Sequence, residues 1–381
     1  YRLEEADVIV GIEADFLGTW IDPVGFTKAY ASRRGPDNPR PMSRHFQAES
    51  GLSLTGSNAD DRLRLAPSEI VPLLEALAGV ATEVPRKEIG EFATKVRHAL
   101  ESAPAGLVLC GSNDLYAQIL TARINQRFGS ATVDLRNPSL QKQGDDQALA
   151  ALLKDMEAGS VDALVVVGAN PVYDLPATFR EAFAKVPLRV GLATFPDETT
   201  EVCTHLAPDH HWLEAWRDAE PVAGTLSLAQ PLMNPLYGTR DALESFLAWG
   251  GRPQAALEHL QQRWKQEVLP KAGTAIDFQA FWNAVLQKGA VQLGSSAPAP
   301  TYREDAGPSA KERRPLAAGT YELLLYAKTG MGDGRFAFNP WLQELPDPVT
   351  KATWDNYICV SPATARKLGL ELGDVVALRP E

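Results

Sequence analysis

Short apolar runs alternate with amphipathic stretches along the first half of the chain. Residues 6–12 ("ADVIVGI"), 106–110, 162–167 and 187–192 each read as a buried strand. "RHFQAES" (44–50) and residues 131–135 read as two more. Between them the pattern has the period of helices. One covers 25–34 and ends at Gly35-Pro36. A second starts at Pro67 and places Leu73, Leu74, Leu77 and Val80 on one face. Others cover about 85–102, 114–128, 146–158 and 176–185. Strands alternating with helices at this spacing predict an α/β fold, a Rossmann-like, mostly parallel sheet with helices on both faces.

The pattern changes after residue 192. Residues 193–238 are turn-rich, and helices return at about 239–250, 253–267 and 276–287. Residues 288–318 are rich in Ser, Ala, Pro and Gly and read as a linker or long loop. Beyond them, "YELLLYAK" (321–328), "NYICVS" (356–361) and "LGDVVALRP" (372–380) read as strands. Ser361 and Pro362 open a capped helix. The expected organisation is an α/β region over 1–287, made of two interleaved lobes meeting near 105, then the linker, then the start of a small β domain over 319–381. Trp341 and Trp354 in that last part read as core positions.

Composition narrows the partners. The chain has 381 residues, enough for two domains, and a formal net charge of −11. That balance argues against nucleic acid. No apolar run reaches the roughly 18–20 residues of a membrane helix, so direct insertion by this chain is not expected. Cys110, Cys203 and Cys359 are far apart and form no CxxC pair. An iron–sulfur cluster or structural zinc built within the chain is therefore not expected, and each cysteine reads as a small buried hydrophobe. The chain opens and closes in mid-pattern, and reads as a fragment of something longer.

Candidate chemistry sits where strands end. One run closes on Gly111-Ser112-Asn113, another on Gly168-Ala169-Asn170-Pro171. Turns at the carboxyl edge of a parallel sheet line the crevice where ligands bind. Glycine permits close backbone approach, and asparagine offers both a donor and an acceptor. Such turns suit a nucleotide or a pyrophosphate-bearing cofactor; the reading favoured from local pattern alone is a turn that caps the next helix and binds nothing. A third GxN lies in "TGSNADDR" (55–62), after a less clear strand. None is a GxGxxG or GxxxxGK[ST] loop. Further on, His205, His210, His211 and Glu214 are weak metal-ligand candidates. Two adjacent histidines on an extended stretch point to opposite sides. The reading favoured there is a polar loop anchored by Trp212 and Trp216, with no metal and no catalytic residue. No GxSxG elbow supports a hydrolase.

Taken in order, "VVVGANPVYDLP", "DETTEVCTHLAPDHHWLEAW" and "NPWLQELPDPVTKATWDN" resemble the molybdopterin oxidoreductase superfamily of the dimethyl-sulfoxide-reductase type. The resemblance spans most of the chain. It implies that Gly111, Ser112, Asn113, Gly168, Ala169, Asn170, Pro171, Asp197, Glu198 and Thr199 edge a cofactor crevice, real or vestigial, for a molybdopterin guanine dinucleotide. It also implies that the C-terminal part begins a double-psi-type β-barrel. The phrasing is closest to the large iron–sulfur subunit of alternative complex III. That branch implies a quinol-oxidising respiratory complex with partner subunits, iron–sulfur clusters elsewhere in the full-length protein, and twin-arginine export to the periplasmic face of the bacterial inner membrane. In that branch the molybdopterin-like domain is thought to hold no molybdenum.

The family's "N.EGR.Q" after Glu214 is replaced here by "LSLAQPLMNP". Acidic residues crowd the expected mouth: Asp197, Glu198, Glu201, Asp209, Glu214, Asp218 and Glu220. A non-catalytic scaffold that has lost its molybdenum cofactor is therefore expected, with no cofactor in this chain. The alternatives are a catalytic molybdenum subunit of the polysulfide reductase or formate dehydrogenase type, and a nucleotide-binding α/β module with no redox role.

Overall fold

The computed structural model describes residues 1–379 apart from 37, 82, 130, 142, 295–299, 301–319, 333, 335 and 355. The chain divides into two compact units, Tyr1–Asp134 with Pro300–Glu381, and Leu135–Ala299.

The first unit is built on four parallel strands: β1 (Val8–Ile12), β2 (Arg44–Glu49), β3 (Asp61–Arg64) and β4 (Gly106–Cys110), in the order β3-β2-β1-β4. Val8 lies opposite Arg44 on one side and Gly106 on the other. Alternation then sorts the side chains. Val8, Val10, Ile12, Phe46, Ala48, Val108 and Cys110 face α3 (Ile70–Ala78), α4 (Lys87–Ser102) and α5 (Leu115–Phe128). Ile9, Leu107 and Leu109 face the opposite way, with Phe26 and Tyr30 of α1 (Pro23–Ser32). Helices thus cover both faces. A one-turn helix, α2 (Leu54–Ser57), precedes β3. Asp22 and Asp114 cap α1 and α5 by accepting from Gly25 and Ala117.

The first unit runs on past residue 105 to Asp134. β4 is hydrogen-bonded to β1 along its whole length, so it belongs to the first sheet.

The second unit carries a parallel sheet of β5 (Ala163–Val167), β6 (Leu188–Leu192) and β7 (His205–Leu206). Helices α6 (Asp146–Glu157), α7 (Pro171–Asp174), α8 (Ala177–Phe183) and α9 (Glu198–Glu201) accompany it. Met156, Phe179, Phe183 and Val186 close a core against Leu164 and Val166. An antiparallel sheet follows, β8 (Arg217–Val222), β9 (Thr225–Ala229) and β10 (Ala290–Gln292). It packs with α10 (Ala242–Trp249), α11 (Ala256–Arg263), a π turn (Trp264–Val268) and α12 (Phe278–Lys288) around Trp264 and Trp282.

Several expectations are corrected. Residues 131–135 form no strand: the Thr132 and Val133 amides both donate to the Gly129 carbonyl, closing a turn after α5. The turn-rich stretch contains the β8–β9 hairpin, reversed at Ala223 and Gly224, the latter at φ 80°. The linker stretch contributes β10, while 295–299 and 301–318 lie outside the described residues. In the C-terminal part the described residues form α13 (Pro340–Glu344), α14 (Pro362–Leu368) and an isolated bridge between Lys328 and Gly332. Ser361 caps α14 as expected. The described residues of 321–328, 356–361 and 372–379 form no strand, because a strand needs a neighbour for its ladder. Leu325, Trp341, Trp354, Leu372 and Val375 are accordingly exposed rather than core. Cys110 is buried as expected, Cys203 is half-buried, and Cys359 is exposed.

Candidate functional site: the carboxyl edges of the parallel sheets

In the second unit the turn after β5 and the turn after β6 meet. Gly168, at φ 57°, leaves β5 with its amide still donating to Leu192 of β6 at 2.9 Å. Ala169 is exposed, and Pro171 opens α7. The Asn170 Oδ1 accepts from the Thr199 amide at 3.1 Å and the Thr199 hydroxyl at 2.7 Å. Its Nδ2 donates to Glu198 at 2.6 Å. Thr199 is buried, and its hydroxyl in turn accepts from the Val172 amide at 3.0 Å. Asp197 caps α9 by accepting from Thr200 at 2.7 Å. The bond from Asn170 holds the Glu198 carboxyl below its ordinary range. The geometry therefore brings Gly168, Asn170 and Pro171 together with Asp197, Glu198 and Thr199. It also occupies both ends of the Asn170 amide, and the Thr199 and Thr200 amides, with protein partners.

In the first unit, Gly111 donates its amide to Ile12 at 2.9 Å. A β-carbon there would lie 1.9 Å from the Glu13 carbonyl oxygen. This glycine is required because backbone, not a ligand, lies against it. The Ser112 hydroxyl accepts from Asp114, and its carbonyl accepts from Gln118 at 2.5 Å. Asn113 is exposed.

The carboxyl ends of β1 and β2 hold functional groups that the strand reading did not single out. On the α1 side, where β1 and β4 are apolar, β2 presents His45, Gln47 and Glu49, all buried. Glu49 accepts from the Ser53 amide at 3.1 Å, the Ser53 hydroxyl at 2.5 Å, Gln47 at 3.2 Å and Arg62 at 2.7 Å. Glu13 accepts from the Ser50 amide at 2.6 Å and from the Ser50 hydroxyl. Burial raises the Glu13 carboxyl, and the neighbouring Glu49 adds to the rise. Asp15 accepts from the Thr55 amide at 3.0 Å and its hydroxyl at 2.7 Å. Below them His45 contacts Gln47 at 3.4 Å and the Tyr30 hydroxyl at 3.1 Å. Burial pushes His45 down to about 4 and Tyr30 up to about 12. The third GxN serves the same cluster: a β-carbon on Gly56 would meet the Glu49 carboxylate at 1.8 Å. The available signal was "HFQAES" itself, three polar residues at alternate positions of a strand.

A molybdopterin dinucleotide would bring two phosphates, which need cations or free backbone amides. At these edges Glu13, Asp15, Glu49, Asp197 and Glu198 stand instead, and the donors around them are spent on those acids or on Asn170. The residues present do not fit the dinucleotide.

The weak metal candidates contact nearby side chains and backbone. His205 is exposed and contacts Thr204; His210 contacts Thr239 at 2.6 Å. Glu214 accepts from the His211 amide and the Leu236 amide, both at 3.0 Å. Those two backbone donors hold its carboxyl below the ordinary range. Among the described residues, no group of three or more His, Cys, Asp or Glu side chains is arranged to hold a metal ion. Trp216 anchors the loop against Trp282, whereas Trp212 is 67% exposed and anchors nothing in the core. Arg217 pairs with both Asp209 and the buried Asp241, a clamp that the sequence reading missed.

No family model matches the chain. It is similar to the menaquinone reductase, molybdopterin-binding-like subunit of Nitratidesulfovibrio vulgaris, with 24% identity over 440 residues. The match covers 99% of this chain and 61% of that protein, so the chain spans less than two thirds of its relative's length. Among solved structures it is similar to acetylene hydratase from Pelobacter acetylenicus, with a TM-score of 0.47 and 12% identity. That match covers 66% of this chain and 48% of the other.

Proposed function

Starting from a molybdopterin oxidoreductase-type relationship, we propose that this chain is the molybdopterin-like region of a subunit in a membrane-associated respiratory complex that exchanges electrons with a quinone. Its role there is that of a non-catalytic scaffold. The observation that carries this reading is the filled carboxyl edge of both parallel sheets, where the chain's own carboxylates and Asn170 use the donors a dinucleotide would need. Electrons then travel through iron–sulfur clusters elsewhere in the full-length protein, and the scaffold holds partner subunits. The resemblance of its motifs suggests a complex of the alternative complex III type, with export to the periplasmic face as its corollary. Residues 319–381 are read, from the family resemblance, as belonging to a double-psi-type β-barrel. No helix among the described residues is long and apolar enough to cross a membrane, so membrane association is assigned to partners.

The test is turnover of the assembled complex carrying Asn170→Ala. Unchanged electron transfer per assembled complex is expected. A large loss in a complex that still assembles would make the turn a cofactor cradle and overturn the scaffold role.

A further inference from the structure

Residues 13–22 cross the carboxyl edge of the first sheet between β1 and α1. Both ends of this segment carry a non-glycine residue in the left-handed region, Glu13 at φ 49° and Ile21 at φ 55°. Such a conformation is unfavourable, most of all for a β-branched isoleucine, and persists only when surrounding contacts impose it. Those contacts are on hand. Thr55 donates twice to Asp15, and its hydroxyl accepts from the Leu17 amide at 2.9 Å. The Gly18, Thr19 and Trp20 amides donate to the Asp15 carbonyl. Ser50 clasps Glu13. Phe16 is buried, with its ring 5.3 Å from that of His45.

His45 is wholly buried and lies under this segment. The groups around it are Tyr30 of α1, Arg34 just after α1, Gln47 of β2, and Asn58 and Asp60 before β3. Asp60 is already bound by Arg34 through both oxygens. Asp60 still favours a charged His45 ring, but Arg34 opposes it and burial outweighs both.

We propose that residues 13–22 form a strained strap that opens in mild acid, with His45 as the group whose protonation releases it and Glu13 as an opposing clasp. Solvation through an open strap restores the ordinary affinity of His45 for a proton, so opening takes up a proton as pH falls from about 6.5 towards 4. Glu13 works the other way. Its raised carboxyl holds a proton more readily in the closed strap, so it favours closure as pH falls. Glu49 and Arg62 face Glu13 from β2 and β3, and the Cys110 thiol faces it from β4. The His45 shift is the larger, so opening prevails. The inference does not rest on the scaffold reading.

Amide exchange of the full chain, corrected for intrinsic rates, tests it. Protection of the Leu17, Gly18, Thr19 and Trp20 amides should fall about tenfold from pH 7 to pH 5, while the β1 and β4 amides hold theirs. His45→Gln should abolish the fall, and Glu13→Gln should enlarge it. Protection that stays flat in the wild type, or a fall that persists in His45→Gln, overturns the proposal. If His45→Gln loses protection throughout, Glu13→Gln decides: a fall no larger than that of the wild type refutes it.

Discussion

Asn170→Ala removes a side chain that ties the turn after β5 to the first turn of α9. The Thr199 amide and hydroxyl, at 3.1 and 2.7 Å, both lose their acceptor. Thr199 is only 1% exposed, so water does not readily replace it. Each lost bond to a dry neutral donor is worth about 1 kcal/mol, so the loss is about 2 kcal/mol. The bond to Glu198 lies at the surface and is left out of that sum. For a unit of this size, about 2 kcal/mol lowers the melting temperature by roughly 4–8 °C. Thermal unfolding followed by circular dichroism measures it, with exchange of the α7 and α9 amides to place the effect in the second unit. Asn170→Asp keeps the acceptor and should lose less, although it sets a carboxylate beside Glu198. A shift below about 1 °C for the alanine variant would refute the claim that Asn170 is a structural clasp.

The two glycine turns should answer differently to the same change. Gly111→Ala drives a β-carbon to 1.9 Å from the Glu13 carbonyl and should cost about 3 kcal/mol or more, read from the urea midpoint. Gly168→Ala meets no atom within 4 Å and pays only for φ 57°, about 1 kcal/mol. Trp264→Phe loses the 2.9 Å bond from the indole to Asp218 within a tightly packed core, and should lower stability by about 1–2 kcal/mol in the same assay. Thermal stability should fall in two stages on acidification. Burial keeps His45 neutral, so its contribution is present above about pH 6.5 and is lost as pH falls towards 4. The carboxyls of Asp60, Asp61 and Glu69, held down by Arg34, Lys95 and Arg86, give up theirs only below the ordinary carboxylate range. Arg86→Ala should lessen the second stage by the share of Glu69 and leave the first unchanged.

β1, β4 and β5 were legible because each is a compact apolar run, and β1 and β4 are buried at every position, whereas the charged β3 (DRLR) and the two-residue β7 gave no such signal. Local spacing did not pair the two turns: only the family resemblance put Gly168 and Asn170 beside Asp197–Thr199, and in the structure Asn170 bonds Thr199. What the sequence could not show was parity. Only the register of β2 against β1, with His45 opposite Ile9 and Gln47 opposite Gly11, turns three polar residues into one buried face. The β8–β9 hairpin was hidden because Asp218, Glu220 and Pro221 interrupt its alternation. The reverse error occurred at 321–328, where alternation without a neighbouring strand produced no ladder among the described residues. Trp212 looked like an anchor by residue type alone. Its ring lies against His211 at the surface, and Trp216 faces the core instead.

The most direct test of the scaffold role is the molybdenum and tungsten content of the purified full-length protein, together with fluorescence of released pterin. Neither metal nor pterin above background is expected, with iron still present in the complex. Near-stoichiometric metal and pterin would contradict the account.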